Sequence, residues 1–294
     1  MQELTMIHYL LIILAVFSII FPVLGNRFGV PVFAVVGRWL RWIVFAGWLA
    51  FLLRHFELSF RPDWVHFITG LALWFLFETG YNWLAILALS RGEMPLFHSF
   101  ELNQDGDEWP ADKKFIELRD WLRNERFNRL AALKAELFEG TFLRVSIYES
   151  EDRMTRIQIL FLPKRKDGAT ACYTISTEGK KDRRLITDNL FLPYGGFYPE
   201  GWDIARKPLT GSLKSLLKRH HLRLIKSSIT PISFEEEPLQ EMNEQQRILE
   251  RFNLETGFLV PRARQEEEGK ITYEGRYRLW KEMWMLAYLG KSMT

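Results

Sequence analysis

MIHYLLIILAVFSIIFPVL, residues 6–24, decides how the rest of the chain is read. The stretch has no formal charge and is interrupted only by His8, Tyr9, Ser18 and Pro22. As a helix it is about 28 Å long, close to the ~30 Å hydrocarbon thickness of a bilayer. A cleavable signal peptide would call for a basic start and a shorter apolar run. Met1 to Thr5 contain Glu3 and no Lys or Arg, so a retained spanning helix over about 6–24 is expected.

Outward from that run the same character continues to residue 90. Residues 1–90 hold nine of the charged side chains and six of the eleven tryptophans, although the chain as a whole carries 39 Lys or Arg against 36 Asp or Glu. The second apolar stretch, Val30 to Leu53, contains Arg38 and Arg41. Each would cost about 2.5–3.5 kcal/mol at the centre of a spanning helix, which predicts a helix starting near Gly37 (about 37–54) with both arginines drawn to an interface beside Trp39 and Trp42. The third stretch, Trp64 to Ser90, predicts a span over about 65–89, with Gly70 and Gly80 as close-packing points and Glu78 near its middle. Whether the chain crosses two or three times turns on the second stretch. A carboxylate at that depth needs a cation, and Arg38 and Arg41 are the candidates for an intramembrane pair with Glu78. A proton or ion relay, a packing ion pair and a helix break at 78–82 all fit the same residues.

Cationic residues set the orientation. The first connection, counted to its helix boundary, offers Arg27, Arg38 and Arg41, the second offers Arg54 and Arg61, and Arg91, Lys113 and Lys114 follow the third span. The positive-inside rule then gives an outside N-terminus and a cytoplasmic C-terminal domain, as in a multi-pass protein of a bacterial inner membrane. The single cysteine, Cys172, cannot pair within the chain and fits a reducing compartment.

Residues 1–92 therefore read as a helical transmembrane domain and 93–294 as a cytoplasmic α+β domain. Asp112 is placed to cap a helix running to about Asn124, and residues 127–138 fit a helix or a strand, with the alternation at Leu133, Ala135 and Leu137 favouring the strand. Period-2 runs joined by hairpin-length connections, including Asp167-Gly168 and Glu178-Gly179, predict an antiparallel β-meander over about 142–190. Helices follow over about 209–223, 238–253 and 276–289, packed with the meander.

Charge in this half is segregated: residues 153–226 contain sixteen Lys or Arg and six acids. The basic helix contributes Lys214, Lys218, Arg219 and Arg223 as candidate contacts to an anionic lipid surface, unless flanking acidic segments cancel its field. The net charge of +3 and the sparse aromatics among these cations speak against nucleic acid as a partner. The partners expected are the lipid bilayer, anionic lipid, and a protein that the sequence does not identify.

Chemical motifs are few. Glu101, Asn103, Asp105, Gly106, Asp107 and Asp112 follow a calcium-loop spacing with the wrong residue types at its first and last positions, so Asp105 and Asp107 are weak metal candidates beside the alternative of an Asp-Gly turn. The six histidines include no i,i+3 or i,i+4 pair that would suit zinc. Cys172 lies in an apparent strand, where a buried thiol is inert. No nucleophile elbow, phosphate loop or dinucleotide fingerprint occurs, so no cofactor and no metal is expected. The unusual segment is 189–203, where Phe191, Tyr194, Phe197, Tyr198 and Trp202 crowd among prolines and glycines. It reads as an irregular loop that packs its own rings or presents them to a ligand. Asp188, Glu200, Asp203 and His220 are the polar residues to inspect beside it.

The expected function is that of an integral membrane protein whose α+β domain is an interaction or scaffold module at the membrane surface. A membrane-tethered enzyme with 189–203 as a substrate-covering loop is the alternative, and a transport component using Glu78 is a second.

Overall fold

The computed structural model describes residues 2–28, 30–105, 109–138, 140–163 and 169–293. Three long apolar helices come first: α1 (Gln2–Phe28), α2 (Val32–His55) and α3 (Asp63–Arg91). All three are long and apolar enough to cross a membrane. An α+β arrangement follows, with β1 (Glu101–Leu102), α4 (Lys113–Asn124), β2 (Phe127–Phe138), β3 (Thr141–Ser150), β4 (Arg156–Pro163), β5 (Ala169–Gly179), β6 (Arg183–Asp188) and β7 (Trp202–Arg206). Then come α5 (Leu213–Lys226), β8 (Pro231–Ile232), α6 (Pro238–Glu255), a short 3-10 turn, α7 (Gln265–Glu268), α8 (Tyr273–Trp284) and a π turn over Met285–Leu289.

The chain forms two compact units. One contains the residues up to Leu89 together with Pro193–Gly195 and Arg276–Met293; the other contains Ser90–Leu192 and Gly196–Gly275. The C-terminal helix from Arg276 onward thus packs with the three long helices.

In the helical unit, small residues let the helices approach. A Cβ on Gly37 would lie 2.7 Å from the Pro22 ring, one on Gly47 would meet Leu11 at 2.5 Å, and one on Gly70 would lie 2.7 Å from the Ala46 Cα. Gly70 is a close-packing point as expected, whereas Gly80 faces open space. The second helix begins at Val32, five residues before the expected Gly37, because its arginines are accommodated within it. Arg38 reaches Glu78 at 3.1 Å and the Nε of Arg41 faces the Gly37 carbonyl at 3.4 Å. The outward faces carry exposed Leu10, Ile13, Ile19, Leu76, Phe77 and Leu84.

The other unit is a mixed eight-stranded sheet in the order β1-β2-β3-β4-β5-β6-β7, with β8 pairing the end of β5. From β1 to β6 every neighbour is antiparallel, as a meander requires, while β7 joins β6 in parallel. Residues 127–138 are a strand, bent by irregularities at Arg129/Ala131 and Glu136/Phe138. The turn between β5 and β6 falls one step later than Glu178-Gly179 suggests: Gly179 stays in the strand, and Lys181 and Asp182 take positive φ. The Asp167-Gly168 turn lies outside the described residues.

Both sheet faces are covered. Ile157, Ile159, Phe161, Tyr173 and Ile175 face one way, onto Phe115 and Leu122 of α4 and Leu213, Leu216 and Leu217 of α5. Leu143, Val145 and Ile147 face the other way, onto Met242 and Leu239 of α6. Successive strand side chains point to opposite faces, so the same strands supply the buried residues of both.

Candidate functional site

Glu78 is the polar centre of the helical unit. One carboxylate oxygen accepts from Arg38 Nη1 at 3.1 Å; the other accepts from Trp74 Nε1 at 2.9 Å and from the Tyr288 hydroxyl. Tyr288 is supplied by the π turn, and its carbonyl accepts from Trp39 Nε1 at 2.9 Å. Trp284 stacks on Tyr288 with ring centroids 4.6 Å apart, and Trp39 and Trp42 meet the same ring edge-on at 5.3 and 5.2 Å. The candidate pair is therefore Glu78 with Arg38, and Arg41 stands apart from it. Both carboxylate oxygens are engaged, an arrangement that suits packing and positioning. Trp74, four residues before Glu78 on the same helix face, was legible in the sequence; Tyr288 was not.

In the sheet unit, the polar residues beside the aromatic loop are held separately. Asp188 accepts from Arg206 Nε and from the Leu190 amide, each at 3.0 Å. Thr187, the preceding residue, points to the opposite face and meets His220 there at 3.0 Å, while Thr177 lies 3.0 Å from the other ring nitrogen. Arg223 also donates to the Thr187 hydroxyl, so the His220 ring sits between two threonine hydroxyls with both of its nitrogens paired. Burial lowers the His220 pKa to about 3, helped by the charges of His221 and Arg223. Glu200 and Asp203 are exposed, and Asp203 pairs with Arg223 at 2.7 Å. Asp188, Glu200 and His220 do not converge.

The loop itself is pinned. Asn253 of α6 accepts from the Phe197 amide at 2.7 Å and donates to the Phe197 carbonyl at 2.9 Å. Arg206 donates to the Leu192 carbonyl at 3.1 Å and to the Tyr198 hydroxyl at 3.2 Å. Phe191, Tyr194, Phe197, Tyr198 and Trp202 are all half-buried. Trp202 opens β7, a strand the loop reading did not include, and its ring lies 5.7 Å from the Arg184 guanidinium.

The basic residues of α5 border an open groove of about 420 Å³. Trp121 of α4 and Glu125, which follows its last residue, line it together with Lys214, Leu217, Lys218, His221, Leu222 and Ile225 of α5. Lys214 lies over the Trp121 ring at 5.3 Å. Leu222 is 50% exposed and Ile225 80% exposed. Of the four cations singled out in the sequence, Lys214 and Lys218 line the groove, Arg219 is exposed nearby, and Arg223 turns inward to the Ile186 carbonyl at 2.6 Å. The apolar members of this surface, Trp121, Leu222 and Ile225, are the part that sequence reading missed.

A buried charge network was missed as well. Arg156 bonds Glu149 at 2.7 Å, Glu241 of α6, and the Glu236 carbonyl at 2.8 Å, and its guanidinium lies 4.4 Å from the Phe234 ring. Arg184 joins Glu241 at 2.9 Å and also pairs with Glu178. Burial is the main influence raising the Glu178 pKa. The network ties α6 to the sheet.

At the calcium-like spacing, Lys134 occupies the position of a cation, 3.3 Å from Asp105 and 3.7 Å from Glu101. Asp107 lies outside the described residues. Among the described residues no group of three or more His, Cys, Asp or Glu is placed to hold a metal. Cys172 is buried, and burial pushes its thiol up to about 11. Comparison of the chain with protein-family models, with curated proteins and with solved structures gave no match.

Proposed function

We propose that this protein is a three-span integral membrane protein whose α+β unit is a cytoplasmic interaction module, docking through the groove between α4 and α5. The observation that carries the docking role is the placement of exposed Leu222 and Ile225 beside Lys214 and Lys218 on a concave surface. Apolar groups left in water among cations make a surface suited to a partner that is itself amphipathic and acidic. Of the polar residues that suggested catalysis, Asp188, Asp203 and His220 have structural partners of their own and Glu200 stands exposed apart from them, so they lend the enzyme reading no support.

Membrane insertion is supported by three helices of sufficient length whose outward faces are apolar, and by an ion pair that neutralises Glu78 within the third. Orientation rests on Arg27 near the first connection and on Arg91, Lys113 and Lys114 after the third helix. Arg54, on the opposite connection, is tied to Asp63. On this reading the N-terminus lies outside and the α+β unit in the cytoplasm, as in a protein of a bacterial inner membrane.

The test is site-specific photocrosslinking in native membranes, with the crosslinker at Ile225 and, as a control, at exposed Glu117 on the outer side of α4. A discrete adduct at 225 that is absent at 117 is expected. No adduct at 225 in membranes that retain the protein through alkaline extraction contradicts the docking role.

A further inference from the structure

We propose that the occupant of the α4–α5 groove is the headgroup region of an anionic phospholipid, so that α5 docks the α+β unit on the anionic leaflet of the membrane that anchors the chain. The inference rests on the membrane-anchored docking reading above and names the partner.

Helix α5 carries Lys214, Lys218, Arg219, Arg223 and Lys226 and no acid. Arg223 is bonded inward. Lys214, Lys218, Arg219 and Lys226 are exposed and, among the described residues, have no carboxylate partner. Lys214, Lys218, His221, Leu222 and Ile225 run down one side of the helix at spacings of about one turn, facing Trp121. Cations and apolar groups therefore share one line on α5, and Glu125 is the one acid among the residues lining the groove. That is the demand of a bilayer interface, where lysines meet phosphate while Trp, Leu and Ile reach the acyl boundary.

Two other anionic partners fit less well. A nucleic acid would use the cations but needs open ring faces for its bases, and the Trp121 face is covered by Lys214. An acidic protein segment would match the surface but must be supplied from solution. The anionic leaflet is instead presented at high effective concentration by the chain's own anchor.

The test uses the full chain with Ile225→Cys, labelled with an environment-sensitive fluorophore, in nanodiscs of phosphatidylcholine alone or with part of it replaced by phosphatidylglycerol. Cys172 is buried and does not compete for label. A second preparation labelled at Glu255→Cys, an exposed position on α6, reports changes unrelated to the groove. The expected result is a blue shift and protection from an aqueous quencher at 225 in phosphatidylglycerol discs only, reversed by salt, with no change at 255. Lys214→Gln with Lys218→Gln lowers the docked-to-undocked ratio roughly 30-fold, from about 1 kcal/mol for each cation removed. Both positions are exposed, and circular dichroism of the double variant checks its fold.

A 225 probe that stays equally accessible in the two lipids overturns this inference while leaving the anchored docking reading in place. Protection that is equal in both lipids and insensitive to salt also overturns it, in favour of a protein contact. A chain that does not enter nanodiscs at all, remaining soluble without detergent, overturns the underlying reading instead.

Discussion

The Tyr288 hydroxyl donates to the Glu78 carboxylate, joining residues 210 positions apart. Arg38 and Trp74 complete the shell around that carboxylate, so the C-terminal segment is held at the polar centre of the helical unit. Tyr288→Phe removes a donor to a charged acceptor, a loss of about 1.5–3 kcal/mol. Hydrogen exchange over 285–293 in the detergent-solubilised protein accelerates accordingly, and unchanged exchange contradicts the assignment. Glu78→Leu is worse because it strands Arg38. Since the Arg38 side chain is 40% exposed, its cost falls below the figure for a fully buried pair. Adding Arg38→Leu to Glu78→Leu recovers part of the stability, a non-additivity that a double-mutant cycle reads directly.

Two glycines on α3 separate helix packing from helix propensity. Gly70→Leu drives a side chain into the Ala46 backbone and destabilises the protein in micelles by about 1–3 kcal/mol, the cost typical of overpacking, read as a lower thermal midpoint. Gly80→Leu enters open space and gains helix propensity of up to about 1 kcal/mol. Equal sensitivity at the two sites contradicts the packing described.

In the sheet unit, Glu241 holds Arg156 and Arg184 together. Glu241→Leu leaves Arg156 buried with an incomplete shell and costs about 3–5 kcal/mol. Thermal unfolding checks the loss, and hydrogen exchange localises it to α6. A variant in which Arg156→Met accompanies Glu241→Leu and Glu149→Leu retains more stability than Glu241→Leu alone. The opposite order would show that the network does not act as a unit.

His220 makes the same unit sensitive to acid. Its pKa is lowered from the ordinary 6.5 to about 3 in the fold. The unfolded chain therefore takes up a proton below about 6.5 that the folded one refuses. The contribution is fully present above that pH and is lost as pH falls toward 3, at up to about 1.4 kcal/mol per pH unit. Thermal midpoints measured from pH 7 to 4 decline for the native chain. His220→Leu starts lower, because Thr177 and Thr187 lose their partner, and declines less. Identical slopes contradict a neutral buried imidazole.

How much of this was legible in the sequence depends on how local each feature is. Nineteen uncharged residues at 6–24 signal a long apolar helix without help from any other part of the chain. The start of α2 lies five residues earlier than Gly37 because the cost of Arg38 in a spanning helix was counted in full, although Glu78, its candidate partner in the sequence, meets it from another helix and offsets that cost. The meander followed from alternation and turn residues. β7 was hidden because its five residues emerge from a Pro- and Gly-rich segment and pair in parallel, in a register that brings Arg206 beside Asp188. The groove was half visible: the α5 cations stand out in the sequence, but Trp121 reaches them only through the packing of α4 and α5 on one sheet face. The Arg156 network was invisible, since Glu149, Glu241 and Arg184 read one by one as ordinary surface charges.

The proposed arrangement of three spans with an outside N-terminus assigns each connection to a compartment, and cysteine accessibility tests this directly. In a Cys172→Ala background, Glu57→Cys between α2 and α3 and Glu266→Cys on α7 are each treated with a membrane-impermeant maleimide. Residue 57 labels in intact cells, residue 266 labels only after the inner membrane is opened, and the protein stays with the membrane through alkaline extraction. Labelling of 266 in intact cells, or recovery of the chain in the soluble fraction without detergent, would contradict both the anchor and the docking surface built on it.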